Sequence, residues 1–206
     1  MYRICLALIL IVCGLVTGVG AHAQTIPLGS LLKKTPEQCA CDKTTVPIAK
    51  NGWKLQPLAS FTVEARVLGK AVYTKDFAAT IATYDLALGW GTMSDPATLE
   101  KFSITQDNRF YEWRYWSKIP LDDSEIKSHS ANMHLIPADD AVLKKLRDLP
   151  TGALIRIEGY LVEASHPRAR KSWRSSLSRD DEGEGACEIV YATSLVDLPS
   201  EPNVQK

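Results

Sequence analysis

The chain lacks most of the residue combinations that announce a particular chemistry. No serine sits in a G-x-S-x-G elbow, the strained turn that exposes a hydrolase nucleophile. Histidine is scarce, four in all, and His129 and His134 are five residues apart, a spacing that places them on one face of neither a strand nor a helix, so no metal site and no cofactor is expected. Neither sign of charge is in excess: 24 basic residues face 24 acidic ones, which leaves no global field to attract nucleic acid or an anionic membrane. The acidic run Asp180-Asp181-Glu182-Gly183-Glu184-Gly185 lacks the alternating aspartates and distal glutamate of a helical calcium loop. It reads as a solvated hairpin end with glycines supplying the turn.

Cysteine is sparse as well, and two of the five, Cys5 and Cys13, fall in the apolar N-terminal run from Ile4 to Val19. Arg3, that run and Ala21-His22-Ala23 have the layout of a secretory signal ending at residue 23; the alternative is an uncleaved membrane anchor, the one route to a membrane association. The expected location is therefore periplasmic or secreted. In such a compartment Cys39, Cys41 and Cys187 meet oxidising conditions, and a bridge from Cys39 or Cys41 to Cys187 is expected, because Cys39 and Cys41 close a ring together only with strain. The cysteine left over is a buried thiol, a mixed-disulfide site or half of a Cys-x-Cys redox pair.

Residues 24–58 carry Pro27, Pro36, Pro47 and Pro57 with no sustained period and read as an extended arm. From residue 59 to 198 a single β-rich domain is expected, followed by a disordered tail at 199–206. Phe61, Val63, Ala65 and Val67 alternate with polar residues, and Gly69 then breaks the phase as a bulge does. Tyr84 to Trp90, Arg109 to Trp116 and Ser128 to Ile136 continue the strand series, the third aromatic on both faces. Asp95-Pro96 opens a short helical connector, and Asp139 can cap a helix with Val142, Leu143, Leu146 and Leu149 on one stripe. Ala153 to Glu163, Trp173 to Ser178 and Cys187 to Leu195 then read as an antiparallel meander, Ile155, Ile157 and Leu161 facing one way and Cys187, Ile189, Tyr191, Thr193 and Leu195 likewise. The fold class predicted is mainly β (α+β), a small antiparallel barrel or curled sheet with one amphipathic helix, OB-like in arrangement.

The segments Asp85 to Gly91 (DLALGWG), Ser128 to Asp139 (SHSANMHLIPAD) and Arg174 to Glu188 (RSSLSRDDEGEGACE) resemble exported bacterial proteins of unassigned function. The resemblance covers most of Phe61 to Leu195 and implies export; it implies no activity.

Two site readings compete. In the first, Arg168, Arg170, Lys171, Trp173 and Arg174 form a basic patch with an aromatic, joined by Arg156 and Tyr160 on a strand face and extended by Arg114 and Trp116. It describes a binding or scaffolding module of the cell envelope whose partner is an envelope protein or an anionic polymer, with nucleic acid disfavoured by export. In the second, His129 or His134 works with Asp139, Ser128 or Ser130 as a hydrolase or nuclease. The first is the expected one, and exposure of Phe110 and Trp116 beside Arg114 would add an interaction surface to it.

Overall fold

A computed structural model describes Leu32 and residues 34–42, 44–116, 121–178, 183 and 186–199 of the chain. The signal segment and nearly all of the acidic run lie outside these residues. In chain order the strands are β1 (Glu37–Ala40), β2 (Ile48–Lys50), β3 (Trp53–Val72), β4 (Tyr84–Gly89), β5 (Phe102–Asp107), β6 (Phe110–Tyr115), β7 (Ser130–Pro137), β8 (Leu154–Ser165), β9 (Trp173–Arg174) and β10 (Glu188–Asp197). The helices are α1 (Pro96–Leu99), α2 (Asp123–Ser128) and α3 (Asp140–Asp148).

Twenty residues make β3 long enough to serve three neighbours on one edge: its first half takes β2 and β1, its last third takes β4. The other edge pairs with β8 from Lys54 to Arg66. The ladder β3-β4-β7-β10-β8 therefore returns to β3 and closes a five-stranded barrel, antiparallel except between β7 and β10, with a helix between its third and fourth strands. That is an OB-like arrangement. Closure leaves no edge among these five strands, which removes the usual template for unwanted pairing.

The interior is filled by the alternating residues the sequence marks: Phe61, Val63, Ala65 and Val67 of β3; Leu86 and Leu88 of β4; Met133 and Leu135 of β7; Ile155, Ile157 and Leu161 of β8. Helix α3 lays Val142, Leu146 and Leu149 on this core. The predicted bulge is present, with the β3–β4 register slipping between Val67 and Gly69.

Four expectations are corrected. The stretch 153–195 is not a meander, because β10 and β9 lie end to end along one edge of β8. On β10 the interior residues are Val190, Ala192 and Leu195, while Ile189 and Tyr191 join an outer cluster; a bulge between Ala192 and Ser194 exchanges the faces, so one alternating series cannot describe the strand. Segment 109–116 is not a barrel strand: β6 pairs with β5 in a separate two-stranded sheet. Its alternation is real, but alternation does not say which neighbour a strand takes. Lastly, no disulfide joins the three cysteines. Cys39 is opposite Ser60, Ser60 opposite Tyr160, and Tyr160 opposite Tyr191, four residues from Cys187. Cys39 is exposed on β1 along the outer edge of β3, whereas the Cys187 thiol is half-buried and turned to the Arg109 carbonyl (3.9 Å).

Much of the stretch read as an arm is built into the domain. Leu32 is buried, its N–H donating to Ser94 Oγ (2.8 Å) and its carbonyl accepting from Gly91 N–H (2.7 Å). No helix among the described residues is long and apolar enough to cross a membrane.

Candidate aromatic cleft at one mouth of the barrel

The outward face of β4 and β7 carries Asp85, Ser130, Asn132 and His134, all nearly fully buried. They are buried because the β5–β6 hairpin folds back over them, its apolar side meeting Ala87, Leu68 and Ile126 through Phe102, Ile104, Tyr111 and Trp113. Asn132 and Ser130 beneath it are answered by the hairpin. Gln106 Nε2 donates to Asn132 Oδ1 (2.7 Å), Asn132 Nδ2 donates to the Arg109 carbonyl (2.9 Å), and Tyr111 Oη lies 2.8 Å from Ser130 Oγ. Burial pushes the Tyr111 phenol upward, only partly offset by Ser130.

Arg109 organises the end of this layer. It stands in the two-residue turn Asn108-Arg109 with φ of 49° and 72°, a left-handed conformation unusual for arginine. Its guanidinium donates to Asp85 Oδ1 (2.8 Å), to both oxygens of Asp76 (2.8 and 3.1 Å) and to the Ala82 carbonyl (2.9 Å), and it lies over the Tyr73 ring at 4.1 Å. The opposite side of Asp85 faces His134, whose Nδ1 is 2.9 Å from Oδ2 but off the line of a good hydrogen bond. The His134 ring packs on Trp173, centroids 4.8 Å apart.

Above this triad opens a cleft of about 650 Å³. One wall is the β3–β4 connection, with Asp76, Phe77 and Ala78; the other is Ser172, Trp173 and Arg174; Arg109, Phe110, His134 and Cys187 contribute the floor and one end. Trp53, Phe77 and His166 form a three-ring cluster at the other end, with centroids 5.0 to 5.2 Å apart, and the Arg168 guanidinium lies 5.5 Å above Phe77. Arg174 is held by Glu163 at 2.6 Å. Hydrogen bonds from Ser172 and Arg174 keep the Glu163 carboxyl below its usual range. For Asp76 burial acts upward, but the Arg109 and Ala79 hydrogen bonds outweigh it and the net shift is down.

Of the expected binding residues, Arg168, Trp173 and Arg174 meet at this cleft, while Arg170 and Lys171 are exposed beside it. Arg156 is elsewhere, bound to Glu64 and Glu158, and Tyr160 packs against the outer apolar cluster. Arg114 and Trp116 are 84% (side chain) and 66% exposed at the far end of β6, and Phe110, at its near end, is 44% exposed.

The hydrolase set meets only in part. Ser128 Oγ lies 3.2 Å from His129 Nδ1, both atoms also bonding the Glu125 carbonyl at the end of α2, whereas Asp139 caps α3 by accepting from Val142 N–H and Ser130 donates to the Ile126 carbonyl. Only His134 reaches the cleft. Among the described residues no three histidine, cysteine or carboxylate side chains are grouped to hold a metal ion.

Sequence reasoning passes over Trp53, Asp76, Phe77, Asp85 and Arg109. Their signal is topological: in a barrel of this type the connections between strands one and two and between strands four and five border the ligand site, and these residues lie in or against those connections. No family model matches the chain, and no curated protein matches it in sequence.

Proposed function

We propose that the chain is an exported binding module of the cell envelope that holds its ligand in the aromatic cleft and performs no chemistry on it. The observation carrying this reading is the cleft itself: rings from three separate segments, Phe77, Phe110 and Trp173, border one opening of the size that small-ligand sites have, with few and prearranged polar groups. The histidine and the serines outside it serve as caps. Exposure of Phe110 and Trp116 supports a contact role, and the apolar N-terminal run supports the envelope location.

The test is retention from an envelope extract by the full chain, expressed with its leader. Wild type and Arg156→Ala are expected to retain the same component, and Trp173→Ala to lose at least tenfold in affinity, the ordinary consequence of removing a stacked ring. Equal retention by Trp173→Ala and wild type removes the cleft from the binding reading. One observation favours a second reading, a hydrolase: with Nδ1 turned to Asp85, His134 has Nε2 left for the cleft. Degradation of an extract component by wild type, abolished in His134→Gln, decides for it.

A further inference from the structure

We infer that the cleft takes an electrically neutral, polyhydroxylated ring, a sugar unit of a glycan, and rejects phosphate and other anions; this rests on the binding reading above. Three guanidinium groups stand around the opening, those of Arg109, Arg168 and Arg174, and by cation count it resembles an anion site. Three carboxylates, Asp76, Asp85 and Glu163, stand against them. Arg109 is occupied by two of these and Arg174 by the third, all at 2.6 to 3.1 Å. Arg168 sits on the face of Phe77. An arriving phosphate finds the fork of Arg109 already filled and the charge of Arg174 answered through Nη1 by Glu163, and must either displace a carboxylate, leaving it unpaired in the cleft, or approach it against repulsion. Both are the means by which a site rejects a wrong ligand.

A neutral polyol meets neither obstacle. Its hydroxyls donate to an outer lone pair of Asp76 and to His134 Nε2 and accept from the Arg174 N–H groups that Glu163 leaves free, while the ion pairs stay closed. Hydrogen bonds to charged groups are the stronger ones. Its C–H face lies on Phe77, Phe110 and Trp173, of which Phe77 is packed on Trp53 and Trp173 on His134 before any ligand arrives. The floor under them is His134, buried between Asp85 and Trp173. Ring faces beside cations already engaged by Asp76, Asp85, Glu163 and the Phe77 ring make a surface that recognises shape and hydroxyls more than charge.

The experiment titrates the full chain by calorimetry with neutral β-linked glucose and N-acetylglucosamine hexamers, and with a single-stranded oligothymidylate and inorganic polyphosphate. A neutral hexamer is expected to bind with an affinity unchanged between about 50 and 200 mM salt, since no counterions are released. Trp173→Ala is expected to weaken it at least tenfold, and the anions are expected not to bind. Asp76→Asn and Glu163→Gln, each checked for an unchanged circular dichroism spectrum, free the guanidinium forks and are expected to confer salt-sensitive polyphosphate binding that wild type lacks. Wild-type binding of oligothymidylate or polyphosphate, or failure of every neutral hexamer, overturns the inference. If the hexamers fail while the extract still yields a component lost in Trp173→Ala, the ligand class falls and the binding reading stands. If Trp173→Ala and wild type also retain the extract components equally, both fall.

Discussion

At the scale of the residue, Arg109 holds two opposed demands. Its left-handed backbone costs roughly 1–2 kcal/mol for a residue with a Cβ, and its guanidinium neutralises Asp85, whose side chain is fully buried. Strain kept at one position is commonly matched by a local task. Arg109→Ala is expected to destabilise the protein by about 3–5 kcal/mol, because a buried carboxylate loses its partner. Arg109→Gly is expected to cost about 1 kcal/mol less than the alanine variant, since glycine takes that backbone freely. Urea unfolding of the pair measures both, and equal midpoints would show that the turn carries no strain.

At the scale of the element, helix α3 is fastened at both ends by single side chains. Asp139 accepts from Val142 N–H at the start, and at the end Lys70 Nζ, reaching from β3, donates to the carbonyls of Leu146, Arg147 and Leu149 at 3.2, 2.7 and 2.6 Å. Lys70→Met keeps the stem and removes the cation; a loss of about 1–2 kcal/mol is expected, read as an earlier melt of the α3 amides in hydrogen exchange than of the barrel amides. The Asp139 cap and the apolar stripe are legible in the sequence, and so are the strands of the barrel, because each has one face in a single core. The β5–β6 hairpin is not: its turn lacks glycine, and β5 carries Ser103, Thr105 and Asp107 on its open side. The Asn51-Gly52 turn between β2 and β3 is a sound hairpin signal with both residues at positive φ, hidden inside a stretch whose prolines suggest an arm. The cleft escapes the sequence because Asp76, His134 and Trp173 are brought together by barrel closure, and Arg109 by the β5–β6 hairpin folding back over β4 and β7, none of them by a local period.

At the scale of the molecule, the cleft's ion pairs tie stability to acid. The folded carboxyls of Asp76 and Glu163 lie below their ordinary values of 3.8 and 4.5. Their contribution is fully present above those values and is lost as pH falls through the lower folded ones. The melting temperature is expected to hold from neutral pH to about 4.5 and then fall, and the fall is expected to be shallower in an Asp76→Asn/Glu163→Gln double variant; parallel acid limbs for both proteins would place the titrating groups elsewhere.

The pairing that shuts the barrel joins Lys54 to Ser165, 111 residues apart along the chain, and β10 is needed to complete the ring. During synthesis the ring gains its last stave only once β10, ending at Asp197, has been made. Until then β3 is a long, half-apolar ribbon with one edge bare, and topologies so rich in distant pairings fold slowly, in milliseconds to seconds. The strand made last is thus the lock: until it arrives the barrel stands open, and the chain keeps the pliancy of an unfinished ring.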